Sequence, residues 1–153
     1  MSHFLFIAGA LRERSSEESA ELQLSHGLWG LCTSLIQTNL HTYLQPHSRG
    51  LVYVLKAGLC AEFQITSPIL SFAALDDLLK DDLKTEARFG FVRIAVTRRW
   101  VSTPHKSQVL LQEILQIDDP AELNRRLGLG MHRLTELEYA AIIRGIEEPM
   151  VQN

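Results

Sequence analysis

The chain has 153 residues, 46% of them hydrophobic and 22% charged, which suits one globular domain able to close its own core. A formal charge of −3 and a sequence pI near 6.1 exclude a protein that coats nucleic acid nonspecifically, because that mode needs a basic excess to release counterions. Cys32 and Cys60 lack the spacing of a metal site and read as reduced thiols of a cytoplasmic protein, and the apolar run at Phe4 to Ala8 is too short to span a bilayer, so neither export nor a membrane anchor is expected.

Phe4 to Ala8 is aromatic and apolar throughout and stops at Gly9, which predicts a first strand buried on both faces. Ser15 followed by Glu18 is the spacing of a capping box and predicts a short helix running to about Leu24. Leu28 to Leu31 reads as a second short strand. Thr33 to Leu44 reads as a helix, with Ile36, Leu40, Tyr43 and Leu44 at helical spacing, broken by Pro46 to Gly50. Leu51 to Leu55 and Cys60 to Thr66 predict a hairpin joined across Lys56 to Leu59.

Ile69 to Gly90 carries the acidic run from Asp76 to Glu86. It predicts a long, mobile crossing with a helical turn or two. Phe89 to Trp100 alternates as a long strand with one wet face, and its change of phase near Phe91 predicts a bulge or bend. A helical tail follows. Ser107 to Gln116 forms its first helix, and Asp119-Pro120-Ala121-Glu122 opens a second that ends at Gly128. Thr135 and Glu138 cap a third, whose apolar face is Leu134, Leu137, Ala141 and Ile142 and which Pro149 ends. The order predicts an α+β fold: a small, strongly curved sheet or pseudo-barrel flanked by helices, in a single domain over residues 1–153.

In Gly27-Leu28-Trp29-Gly30 a large aromatic stands between two glycines that cannot hide its face or the nearby backbone N–H groups. Trp29 therefore reads either as the floor of a pocket for a planar ligand or as a core tryptophan. Two groups of cations could meet phosphate: Arg98, Arg99 and Lys106 where the long strand ends, and Arg125, Arg126 and Arg133 in the tail. No histidine spacing suits a metal, and no glycine pattern suits a nucleotide phosphate loop. Cys32 at a helix start with His26 nearby is the one pair that suggests a nucleophile, and no base for it is identifiable.

The order of these segments resembles the PUA-like superfamily, in particular its EVE and YTH branches. The residues that carry the resemblance are Phe4 to Ile7, His26 to Gly30, Gly50 to Leu55, Ala61 to Pro68, Phe91 to Val96, Gly128 to Met131 and Leu134 to Tyr139. These are small barrels that hold a flipped, modified base in an aromatic cage. The resemblance implies that Trp29 is the first cage residue, that Gly30 and Leu31 read the base edge, and that His26 lies at the pocket. It implies a second cage aromatic among Phe63, Phe72, Phe89 and Phe91, of which Phe63 and Phe91 are the expected members.

Where YTH readers have polar residues that contact adenine, this chain has Ala8, Gly9 and Ala10, so selectivity for methylated adenine is not implied. The expected function is recognition of a methylated base, in DNA, as the specificity module of a restriction or defence assembly, without catalysis, cofactor or metal. An RNA-binding PUA-like protein is the second reading. A small-molecule hydrolase or binding protein using Cys32 and His26 is a third, from a different class.

Overall fold

A strand as apolar as Phe4 to Ala8 is stable only with both faces covered, and the sheet is built around it. The computed structural model describes residues 2–8, 15–32, 39–71, 88–127 and 131–148. Strand β1 (His3–Ala8) runs parallel to β3 (Arg49–Val54), with Phe4 opposite Gly50. On its other side it pairs antiparallel with β6 (Met131–Leu134), with Phe4 opposite Arg133. The hairpin of β3 with β4 (Gly58–Ile65) forms as its sequence predicts, and β4 pairs with β5 (Arg88–Arg99). At the far edge β5 pairs with β2 (Leu28–Cys32), giving the order β2-β5-β4-β3-β1-β6.

This mixed sheet is curled into a half-barrel. Side chains standing on a flat sheet would keep residues of β2 and β1 about 19 Å apart, four strand spacings. The rings of Trp29 on β2 and Phe6 on β1 have their centroids 6.0 Å apart. The concave face holds Phe4, Phe6, Trp29, Leu31, Val52, Phe63, Val92 and Ile94, closed by helix α1 (Ser16–His26) through Ala20 and Leu24. The convex face holds Leu5, Leu51 and Leu59 and is covered by α2 (Pro104–Leu115), α3 (Pro120–Leu127) and α4 (Glu136–Glu147). Two cores on one sheet explain why β1 is apolar at successive positions.

Helix ends follow the sequence closely. Ser15 caps α1, with its hydroxyl accepting from Glu18 N and Glu18 accepting from Ser15 N, and Gly27 closes the helix at φ +65°. Thr135 and Glu138 make the same reciprocal pair at α4. Asp119 accepts from Ala121 N just ahead of Pro120.

Four expectations are corrected. The helix expected over Thr33 to Leu44 is, in its described part, a 3₁₀ turn at Leu40–Tyr43. Helix α2 begins at Pro104 rather than Ser107, because Thr103 accepts from Lys106 N and proline fits the first turn. The tail is not wholly helical, since Met131–Leu134 completes the sheet beside β1. Leu137 is 82% exposed rather than part of the apolar face, where α4 buries Ile142 as expected, together with Tyr139 and Ile146. The crossing over residues 72–87, with its acidic run, and the ends expected at Gly128 and Pro149 lie outside the described residues.

Candidate nucleic-acid interface

Alternation along β2 turns Trp29 and Leu31 to the concave face and Leu28 to the other. The indole meets Phe6 at 6.0 Å and Phe63 at 5.8 Å, with rings inclined by 64° and 47°. Phe6 and Phe63 meet at 5.0 Å. Such tilted contacts use the positive ring edge against the negative face, and each adds about 0.5–1.5 kcal/mol beyond burial. Gly50 makes the trio possible. A Cβ at this position would lie 2.5 Å from the Phe6 ring and 2.7 Å from that of Phe63. Trp29 itself is 4% exposed and Leu31 and Phe63 are fully enclosed, so the trio is packed as a core.

The backbone beside the trio is tied down by a side chain that sequence reasoning missed. Phe91 opposite Gly30 exchanges its own N–H and C=O with Leu70, so the Gly30 N–H points out of the ladder with β5. It donates to Gln23 Oε1 at 2.8 Å. Gln23, 2% exposed on α1, holds its amide in place by donating to Ser19 O at 3.3 Å. Between Leu22 and Leu24 a glutamine gives no sequence signal of this role.

Phe91 does not join the trio. Its neighbour Val92 faces the concave core, so Phe91 points to the opposite face and packs with Leu28, Leu22 and Leu70. Of the two expected cage partners, only Phe63 shares a face with Trp29. Phe72 lies outside the described residues, as does the side chain of Phe89. His26 is the exposed last residue of α1, at the entry to β2.

The cations divide between the two faces. In β5 the register with β4 skips Thr97, and this bulge sends Arg99 to the α1 side and Arg98 to the α4 side. Arg99 grips both oxygens of Glu21, at 2.7 and 2.6 Å. Arg98 donates to Glu147 at 2.8 Å and lies 3.5 Å from Glu62. Lys106 donates to Ile146 O and Glu148 O and so satisfies the carbonyl end of α4. Arg125 and Arg126 both pair with Glu122, which holds that exposed carboxyl below its ordinary value. Arg133 lies over the ring of Tyr43, its Cζ 3.8 Å from the centroid. Of the six, Arg133 is the one with no carboxylate or carbonyl partner among the described residues.

Behind the trio, on the convex face, Glu62 is 2% exposed and carries a satisfied set of bonds. Tyr139 Oη donates to it at 2.6 Å and Thr97 Oγ1 at 2.9 Å. Burial, with the bond to Glu62 next, raises the Tyr139 phenol well above its ordinary range. Burial pushes the Cys60 thiol up to about 11. The side chain of Cys32 lies outside the described residues, but its backbone ends β2, whereas His26 precedes the start. Among the described residues no three His, Cys, Asp or Glu side chains converge to hold a metal.

No family model matches the sequence, and no curated protein matches it. Solved structures do match the fold. Human THYN1, in complex with 5-methylcytosine-containing DNA, superposes with a TM-score of 0.63 at 13% identity, covering 97% of this chain and all (100%) of that one. The Mmi1 YTH domain gives 0.63 at 9% identity, covering 94% and 93%. An mmi1 complex with RNA gives 0.61 at 11% identity, covering 94% and 81%. The chain has the YTH/EVE type of PUA-like fold.

Proposed function

We propose that this protein is a nucleic-acid reader that takes a modified base, flipped out of its strand, against Trp29 on the concave face. The observation that carries the reading is the aromatic trio of Trp29, Phe6 and Phe63 lining the concave side of a curled sheet, with the backbone of Gly30 and Leu31 beside it. An aromatic face stacks any base, at about 1–3 kcal/mol, while extrusion costs a few kcal/mol, so the pocket needs help from phosphate contacts. Arg99 and Arg133 flank the concave side, and Arg98, Lys106, Arg125 and Arg126 lie toward the helical layer. Exposed ion pairs such as Arg99 with Glu21 are worth about 0–1 kcal/mol, so exchanging one for a phosphate costs little.

Methylated cytosine in DNA is the favoured ligand, supported by the likeness to THYN1 in its complex with such DNA and by Ala8 where a polar adenine contact would stand. RNA is the second reading, supported by the likeness to mmi1 in complex with RNA. A place as the specificity module of a larger restriction assembly belongs to the same proposal. Binding rather than catalysis is the role, supported by the likeness to THYN1 in its complex with DNA and to the Mmi1 YTH domain.

The competing reading, in which Trp29 only fills the core, rests on its 4% exposure. Matched DNA and RNA oligonucleotides carrying unmodified, cytosine-methylated or adenine-methylated sites separate the readings. Tighter binding of methylated-cytosine DNA is expected. Preference for RNA of the same sequence would favour the second reading, through the 2′-hydroxyl. Equal binding of modified and unmodified strands would leave Trp29 as a core residue.

A further inference from the structure

Tyr43 closes the 3₁₀ turn and is 41% exposed, although Leu44 beside it is buried in the concave core and Leu40 packs against that core. The guanidinium of Arg133 covers one face of its ring. Arg133 stands opposite Phe4 in β6, two residues from Met131, and so faces the same side as Phe4, Phe6 and Trp29. Among the described residues, the ring is the only partner of Arg133, and the Tyr43 hydroxyl has none. A guanidinium fixed on a ring, with its N–H edges unclaimed, is a planar fork already oriented for an oxyanion.

We propose that Tyr43 and Arg133 form a second nucleotide subsite, in which Arg133 takes the phosphodiester next to the base held at Trp29 and Tyr43 positions the guanidinium. This rests on the reader function proposed above, and it adds an aromatic residue that no base needs to touch. Arg98, Arg99, Arg125 and Arg126 each have a guanidinium held by a carboxylate. Arg133 is stacked instead, which holds its geometry without spending its hydrogen-bond donors. An acidic peptide is the other anion that such a fork could accept.

The test is the salt dependence of oligonucleotide binding. Arg133→Gln should lower the slope of log K against log salt by about 0.7–0.9, the contribution of one phosphate, and weaken modified and unmodified strands equally. Tyr43→Ala should weaken binding about two- to fivefold while Tyr43→Phe, which keeps the ring, binds as the natural chain does. An unchanged slope in Arg133→Gln would overturn the subsite, as would a change in preference between modified and unmodified strands. Loss of modification preference in Trp29→Phe with the slope intact shows that the base pocket is separate from the subsite. Preference retained in Trp29→Phe defeats the pocket alone. A chain that binds no oligonucleotide, or that binds acidic peptide through Arg133 instead, defeats both.

Discussion

The hydroxyl of Tyr139 donates to the carboxylate of Glu62 at 2.6 Å, joining the last helix to β4 one residue before Phe63. Removing it leaves a buried carboxylate short of a donor. Tyr139→Phe should therefore cost about 1–3 kcal/mol in urea denaturation. Adding Glu62→Gln to Tyr139→Phe should cost less than the sum of the two single changes, since they share one bond.

Gly50 lies where a methyl group would strike both Phe6 and Phe63. Gly50→Ala should destabilise by about 1–3 kcal/mol and shift Trp29 emission, because the rings that hold the indole must part. Emission and stability both unchanged would show that the rings have room that their contacts deny.

His132 on β6 has a buried Nε2 with no hydrogen-bond partner among the described residues, and burial lowers its pKa below the ordinary 6.5, opposed by a bond to the Arg126 backbone. Below pH 6.5 the unfolded chain takes a proton that the folded chain resists, so this stability is full above that pH and is lost as pH falls through the folded value. The urea midpoint of the natural chain should fall more steeply than that of His132→Leu between pH 7.5 and about 5. Parallel slopes would show that His132 protonates freely in the fold.

With its thiol pushed to about 11 from 9.0, Cys60 presents about a hundredfold less thiolate near neutral pH than an ordinary cysteine. In a Cys32→Ser background, Ellman's reagent at pH 8 should label the folded chain slowly and the urea-unfolded chain fast. Equal rates would place Cys60 in open solvent.

The parts of the fold that local chemistry decides were legible in the sequence. The capping pairs Ser15–Glu18 and Thr135–Glu138, the β3–β4 hairpin and the doubly buried β1 all follow from residue types at fixed spacing. What stayed hidden depends on the curl. Met131–Leu134 is too short to announce a strand, and only β1 beside it makes one. The face that Phe91 takes is set by pairing with Gly30 and Leu70, which periodicity in a single strand does not register. Trp29 was singled out by its flanking glycines, whereas Gln23 beneath Gly30 and Tyr43 beneath Arg133 gain their roles only from partners distant in the chain.

The central claim is that Trp29 receives a modified base, and one titration tests it most directly. The Trp100→Phe chain, whose emission comes from Trp29, is mixed with DNA carrying unmodified or methylated cytosine, while labelled-oligonucleotide anisotropy reads affinity for the natural chain and Trp29→Phe. The smaller ring in Trp29→Phe spares the core the larger cost of truncation to alanine, about 3–5 kcal/mol, and circular dichroism checks the fold. The account predicts a quench larger with methylated DNA and a methylation preference that disappears in Trp29→Phe. A natural chain that binds both DNAs alike, or a Trp29→Phe chain that keeps the preference, would contradict it.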